Sequence, residues 1–572
     1  MPNVESAARG FLICLMTLFV VIPVCYLILG AFLPTSNPGE VFLHSFSLDN
    51  FKSVWADNTL IPVIVNTWLY SVGSAIVGTL WAFALAWLVE RTDYPHKTLI
   101  YLFVPVTLAL PGLLQAMAWI ILLSPKFGFI NAAIASLFGG YVGPINIYNM
   151  GGMIFVEGLR LVSTGFILLV PLIRNLSFEF DAAAISSGAS RWAVISHINI
   201  PLLYPGIVAV FFYQVLIAME VFDVPGVLGL PAGIQVLSTR IYLELETVQA
   251  LPDLGRANAL AVYFLAIAIL ATWVSTRYSK RADLYSTTAG SKESIHRLGR
   301  SGWLAHLIIW SFFIFSVLLP FLALLFVSIS PYMQTPSIDG ISKLTLDHYR
   351  SLADSRRIVS TVVNTLIVSV SVLILSATLA FSIALSVVRS KTIPARLLEQ
   401  MSFLPHAFPG VVLGLAILWL VFGIDRLFGF ETYGSLGSIV FGLTIVFLPF
   451  STRLLVSSLM QVDRSVIESA RSSGATLAKT YVSVVFSLLR PAFIALAVYV
   501  LMVSFRLAGL PLVLFGGSEN EMLSVLIWYL WDEGEIEAVA ALGVIIILVL
   551  GGLSLLLRDS VRKYSPEAKV IA

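Results

Sequence analysis

Two polar islands interrupt the long apolar runs of this chain, and they are copies of one another. One reads Phe180-Asp-Ala-Ala-Ala-Ile-Ser-Ser-Gly188 and continues to Ile198-Asn-Ile-Pro201; the other reads Ile467-Glu-Ser-Ala-Arg-Ser-Ser-Gly474 and continues to Arg490-Pro491. Gly188 and Gly474 stand 286 residues apart, half of the 572-residue length. Small side chains at Ala183, Ala184 and Ala470 would let a helix seat closely in a groove. Gly188 and Gly474 would allow the sharp turn that ends a short helix. Asp181 and Glu468 place an acid in the same turn. The remaining chemistry-bearing residues are charges inside apolar runs, which are costly there and mark function or a pair. Glu220 and Arg506 are again 286 residues apart, so they occupy equivalent positions. They are expected to face each other as an ion pair that gates or lines a pathway. Asp223 is a further candidate, and Glu157 and Arg160 share i,i+3 spacing that lets them neutralise each other.

Other chemistries lack their residues. A P-loop needs Gly-Lys followed by Ser or Thr, and no Gly-Lys dipeptide occurs. The seven histidines are scattered without ligand spacing, so no metal site is expected within the chain. Cys14 and Cys25 both fall in the first apolar run and read as small apolar fillers. Neither paired catalytic aspartates nor a His-Glu-x-x-His pattern is found.

These residues must be positioned by membrane helices. Hydrophobic residues make up 58% of the chain and charged residues 12%, with a mean hydropathy of +0.94, against about 25% charged in a soluble domain. Taking roughly 20 apolar residues per crossing, spans are expected near 11–33, 61–88, 98–124, 150–173, 203–223 and 257–276. Six more follow near 303–328, 359–387, 400–424, 436–457, 491–511 and 537–557. The fold class is therefore an all-α integral membrane protein of about 12 transmembrane helices in two homologous six-helix halves. The halves are residues 1–276 and 303–572, joined by a polar linker at 277–302. The stretch 11–33 is too long for a signal segment and is read as a retained span.

The repeat extends beyond the islands. Asn66-Thr67 recurs as Asn364-Thr365 and Pro111-Gly112 as Pro409-Gly410, at an offset of 298. Leu237-Ser238 recurs as Leu523-Ser524, at 286. The first half thus carries about 12 extra residues, expected within Lys126 to Tyr148 as an interfacial or re-entrant element. Basic residues set the orientation. With both termini cytoplasmic, 23 of the 34 Lys and Arg fall on the inside, and both islands face the cytoplasm.

The pattern Ala183-Ala184, Gly188, Ile198 and Pro201 resembles the coupling motif of binding-protein-dependent ABC importer permeases, with Ala182 in place of the leading Glu and Asp181 one place earlier. The second copy matches at Glu468, Ala470 and Gly474, with Ser469 and Ser487 as departures. The resemblance implies a type I-like importer fold, with coupling helices near 178–202 and 464–488 that dock on two ATP-binding cassette subunits. It implies a periplasmic or extracellular substrate-binding protein, and a bacterial inner membrane location with no nucleic-acid partner. No cofactor would belong to this chain, which would be a translocation subunit without its own ATPase site; ATP and Mg would be used by partner subunits. Val221-Phe-Asp-Val-Pro225 and Leu523-Ser-Val-Leu-Ile-Trp528 look like the fused ferric-iron branch, so ferric iron is the expected cargo. Thiamine, polyamine or phosphonate permeases are built similarly.

A rival class is the ion-coupled secondary transporter, which also uses six-plus-six repeats. It should carry ionisable residues near the midplane, whereas the carboxylates here lie near span ends.

Overall fold

The computed structural model describes residues 2–33, 46–107, 110–139, 143–246, 253–284, 298–299, 302–337, 340, 342–389 and 392–564. Those residues form helices and connecting loops, with no strand among them. That is the solution hydrocarbon demands, because a helix satisfies its own amides where no water can.

The first half runs α1 (Arg9–Ala31), α2 (Leu60–Arg91), α3 (Lys97–Val106), α4 (Gly112–Leu123), α5 (Phe129–Phe138), α6 (Met150–Arg174), α7 (Phe178–Ser186), α8 (Ile200–Glu220), α9 (Leu237–Leu245) and α10 (Leu254–Leu284). The second runs α11 (Gly302–Ile329), α12 (Arg356–Arg389), α13 (Ile393–Phe403), α14 (Gly410–Phe428), α15 (Leu436–Met460), α16 (Arg464–Ser472), α17 (Arg490–Arg506), α18 (Leu523–Asp532) and α19 (Ile536–Tyr564). Helix α10 continues to Leu284, into the stretch expected as linker. Residues 285–297 and 300–301 of that linker lie outside the described residues.

Twelve spans were expected; the described helices give ten, or eleven if Tyr481–Leu488 and α17, bent by 69°, count as one. The lost span is 98–124. Pro111, the N-cap of α4 at ψ 131°, has no N–H to donate and disfavours helical backbone at Leu110 before it, so the run breaks into α3 and α4. All residues of α4 are buried, as broken helices at membrane depth must be. Its repeat α14 starts in the same way after Pro409, whose ψ is 142°. The extra residues of the first half form α5, a short apolar helix ended by Gly139 at φ 61°. Asn131 ties it down, donating to Leu123 O and Ser124 O and exchanging two hydrogen bonds with Ile145.

The halves clasp each other through their first helices. Phe19 and Tyr26 of α1 pack on Phe441 and Trp419 of the second half, with ring centroids 4.7 and 6.4 Å apart. In return, Phe315 of α11 packs on Trp119 of α4 at 6.2 Å, and Trp81 Nε1 donates to Ile308 O at 3.2 Å. Each half therefore completes its core with a helix from the other.

Equivalent residues make equivalent bonds. Thr67 Oγ1 accepts from Leu237 N at 2.9 Å, and Thr365 Oγ1 accepts from Leu523 N at 2.9 Å. Ser238 Oγ donates to Val221 O at 3.0 Å, and Ser524 Oγ to Leu507 O at 2.8 Å. The threonine bonds fix α9 to α2 and α18 to α12, and the serine bonds fix α9 and α18 to the ends of α8 and α17.

Candidate functional site

One end of the bundle carries both sequence islands. Ser177 caps α7 by accepting from Glu179 N, and Asp463 caps α16 by accepting from Ser465 N at 2.8 Å. Hydrogen bonds from Ser465 hold the Asp463 carboxyl below its ordinary range. Both helices then end in the same way. Gly188 N donates to Ile185 O at 2.9 Å and Ala189 N to Ala184 O at 3.0 Å; Gly474 N donates to Arg471 O at 2.9 Å and Ala475 N to Ala470 O at 3.2 Å. This paired pattern needs a left-handed residue, and Gly188 and Gly474 sit at φ 87° and 85°. The spacing Ala-x-x-x-Gly is thus a helix-stop device, with Ala184 and Ala470 supplying the accepting carbonyls. No other atom lies within 4 Å of where a side chain on either glycine would begin, so both turns are open to a partner. Ala183 and Glu468 are exposed, while Ala184 and Ala470 are half-buried. His197 is exposed beside Ser196.

Asp181 departs from the expected role. It is fully buried, with Oδ2 3.2 Å from Arg91 Nη1 at the end of α2. Arg91, also unexposed, donates through Nη2 to Leu176 O at 2.8 Å. A buried guanidinium requires a carboxylate beside it, and Asp181 is turned inward to supply one. It cannot be a surface contact. Sequence reading missed Arg91 because it looked like one more basic residue at a span end.

Towards the other end, charged residues gather at the broken helix. Glu157 is unexposed and pairs with Arg160, with Nε 3.0 Å from Oε2. Arg160 Nη1 lies 3.8 Å from Asp223 Oδ2. A side chain on Gly112, the first residue of α4, would begin 2.2 Å from Arg160 Nη1 and 2.9 Å from Asp223 Oδ2. Arg506 of the second half lies within electrostatic reach of Arg160, Asp223 and Glu157. Glu220 and Arg506, expected to face each other, are the last residues of α8 and α17. Extended Val221 turns the chain after α8, and Asp223 reaches the cluster. Among the described residues no group of three or more His, Cys, Asp or Glu could hold a metal ion.

Next to this cluster the halves meet ring against ring. Phe222 packs on Tyr242 at 4.9 Å and on Trp528 at 5.1 Å, and Tyr242 packs on Trp528 at 5.9 Å. Gly226 leaves room for Trp528: an added carbon there would fall 2.8 Å from the ring. The assembly therefore joins a buried, charged and aromatic contact between the halves to two Gly-terminated helices at the opposite end. That geometry suits relaying movement from an external partner to the interface.

Comparison with known proteins places this architecture. Residues 374–563 match the family model for the binding-protein-dependent transport system inner membrane component. A ferric transport system permease protein of Actinobacillus pleuropneumoniae is 23% identical over 558 residues, covering 94% of this chain and 76% of its own length. A putative ferric transport system permease protein of Haemophilus influenzae is 23% identical over 468 residues, covering 79% and 70%. Among solved structures, a chain of a bacterial ABC transporter involved in alginate import matches 46% of this chain and 97% of its own, with 16% identity and a TM-score of 0.37.

Proposed function

Because this chain is a permease of the binding-protein-dependent ABC importer family, we propose that it supplies both halves of the path through which ferric iron is imported. The observation that carries the mechanism is the pair of identically ended helices, α7 and α16, at one end of the repeat. The cargo rests on the ferric permeases that align along most of the chain. In this reading that end is cytoplasmic, as are both termini, in keeping with the bias of Lys and Arg. The halves are 1–276 and 303–572, with 277–302 as a tether between them. Two ATP-binding cassette subunits seat on α7 and α16, and a soluble binding protein delivers cargo to the opposite face. The chain binds no nucleotide itself; its motif residues position the ATPases through Ala183, Ala184 and Gly188, and through Glu468, Ala470 and Gly474. ATP-driven closure of those subunits moves α7, and the buried Arg91–Asp181 pair draws α2 with it. The two halves then part at the Tyr242–Trp528 contact, past Asp223, Arg160 and Arg506. Glu220 lies on the wall of this route.

Purification of the tagged chain in mild detergent tests the reading. A stoichiometric P-loop ATPase should co-purify and be lost on Gly188→Asp or Gly474→Asp. Purification of the intact chain alone, with uptake driven by a proton or sodium gradient, would instead make it a secondary transporter.

A further inference from the structure

The two coupling helices are built alike but present different chemistry, position by position along the 286-residue repeat. Where α16 has Glu468, α7 has Ala182; where it has Arg471, α7 has Ile185. Beyond the glycines, Trp192 and Ala193 stand where the second half has Ala478 and Lys479. In the folded chain the bulky and charged side chains among these face outward. Phe180 is 44% exposed, Ile185 47% and Trp192 73%, while Glu468, Arg471 and Lys479 are all exposed. Asp181 sharpens the contrast, since Arg91 holds it inside and its repeat partner is the uncharged Ile467. Glu179 is the exposed acid left on α7.

We infer that the two ATPase contacts of this permease differ in kind: the first half is anchored by apolar insertion of Trp192 and Ile185, the second by charge through Glu468, Arg471 and Lys479. The partner is an ATP-binding cassette subunit, and the inference rests on the importer reading above. A largely exposed indole with a second exposed apolar side chain on the same coupling segment is the composition of an interface anchor. Surface charges of mixed sign instead give a contact that salt screens. The asymmetry gives each half its own response to conditions: ionic strength would loosen the second cradle while leaving the first in place.

Photo-cross-linking in the full complex tests this. A photoreactive amino acid at position 187 or 473, the equivalent exposed serines that end α7 and α16, reports each contact separately. Raising salt from about 0.1 M to about 1 M shortens the screening length from roughly 10 Å to 3 Å. The cross-link at 473 should fall about threefold, and that at 187 should hold or rise. Trp192→Ala should cut the 187 cross-link about tenfold and spare the 473 cross-link. Glu468→Gln with Arg471→Gln should do the reverse. Equal salt responses at both positions, or an unchanged 187 cross-link in Trp192→Ala, overturn the inference and leave Trp192 as a membrane-interface residue. No ATPase cross-link at either position, under any condition, overturns the importer reading itself.

Discussion

Tyr242 and Trp528 are the same position in the two halves, 286 residues apart in sequence, and their rings meet at 5.9 Å with an interplanar angle of 84°. A residue that touches its own repeat copy marks where the axis relating the halves passes. The contact on the axis is aromatic, and the charges lie beside it.

If the halves part at this point during transport, tethering it should stop the cycle. Cysteines at Tyr242 and Trp528, in a Cys14→Ser, Cys25→Ser background, can be joined by a reducible bifunctional thiol reagent. Uptake should fall to background when joined and return on reduction. Unimpaired uptake by the joined protein would place the moving contact elsewhere.

The Arg91–Asp181 pair is a buried bond between α2 and α7. Asp181→Ala strands a guanidinium out of water and should lower stability by about 3–5 kcal/mol, seen as a lower unfolding temperature in detergent. Arg91→Met with Asp181→Leu should recover most of that loss, because the desolvation cost goes with both charges. Transport should stay impaired in the double variant if the pair also relays movement; full activity would reduce it to packing.

In the charged cluster, Asp223→Arg places a third cation beside Arg160 and Arg506 and should abolish uptake. Adding Arg160→Asp should restore part of it. Glu220→Gln, which removes a charge without reversing one, should have the smaller effect. Gly112→Ala should lower uptake less than Asp223→Arg, because its methyl would meet the Arg160 guanidinium, the movable end of a long side chain. Uptake assays rank the four, and a harmless Gly112→Ala would show that the cluster yields easily.

At the end away from α7 and α16, Asp57 accepts from Thr59 N at 2.9 Å and Thr59 Oγ1 at 2.7 Å, and pairs with Arg240 and Arg256 at 2.9 and 3.0 Å. The Thr59 bonds first, and the arginines after them, hold its carboxyl below the ordinary range. A depressed value adds stability that is present above the unfolded value near ~3.9 and lost as pH falls through the folded one. The difference in unfolding temperature between the parent and Asp57→Asn should therefore stay constant from about pH 7 to about pH 5 and close only in stronger acid.

Much of this was legible in the residues because the chain states it twice. Repeated Gly188 and Gly474 fixed both helix ends, and Thr67 and Thr365 marked bonds that the structure repeats. The span at 98–124 was misread since hydropathy averages over Pro111 and does not register a missing donor. The partner of Asp181 could not be read at all: Arg91 lies 90 residues earlier, and only packing brings the two together. The approach of Asp223 to Arg160 follows from one extended residue, Val221, which spacing does not reveal.

The most direct test reconstitutes this chain in liposomes with its co-purified ATPase and binding protein, and follows radiolabelled ferric iron. Uptake should require ATP on the side of α7 and α16, require the binding protein on the other, and vanish with Gly474→Asp. Iron entry driven by an ion gradient, through the chain alone and without ATP, would contradict the account.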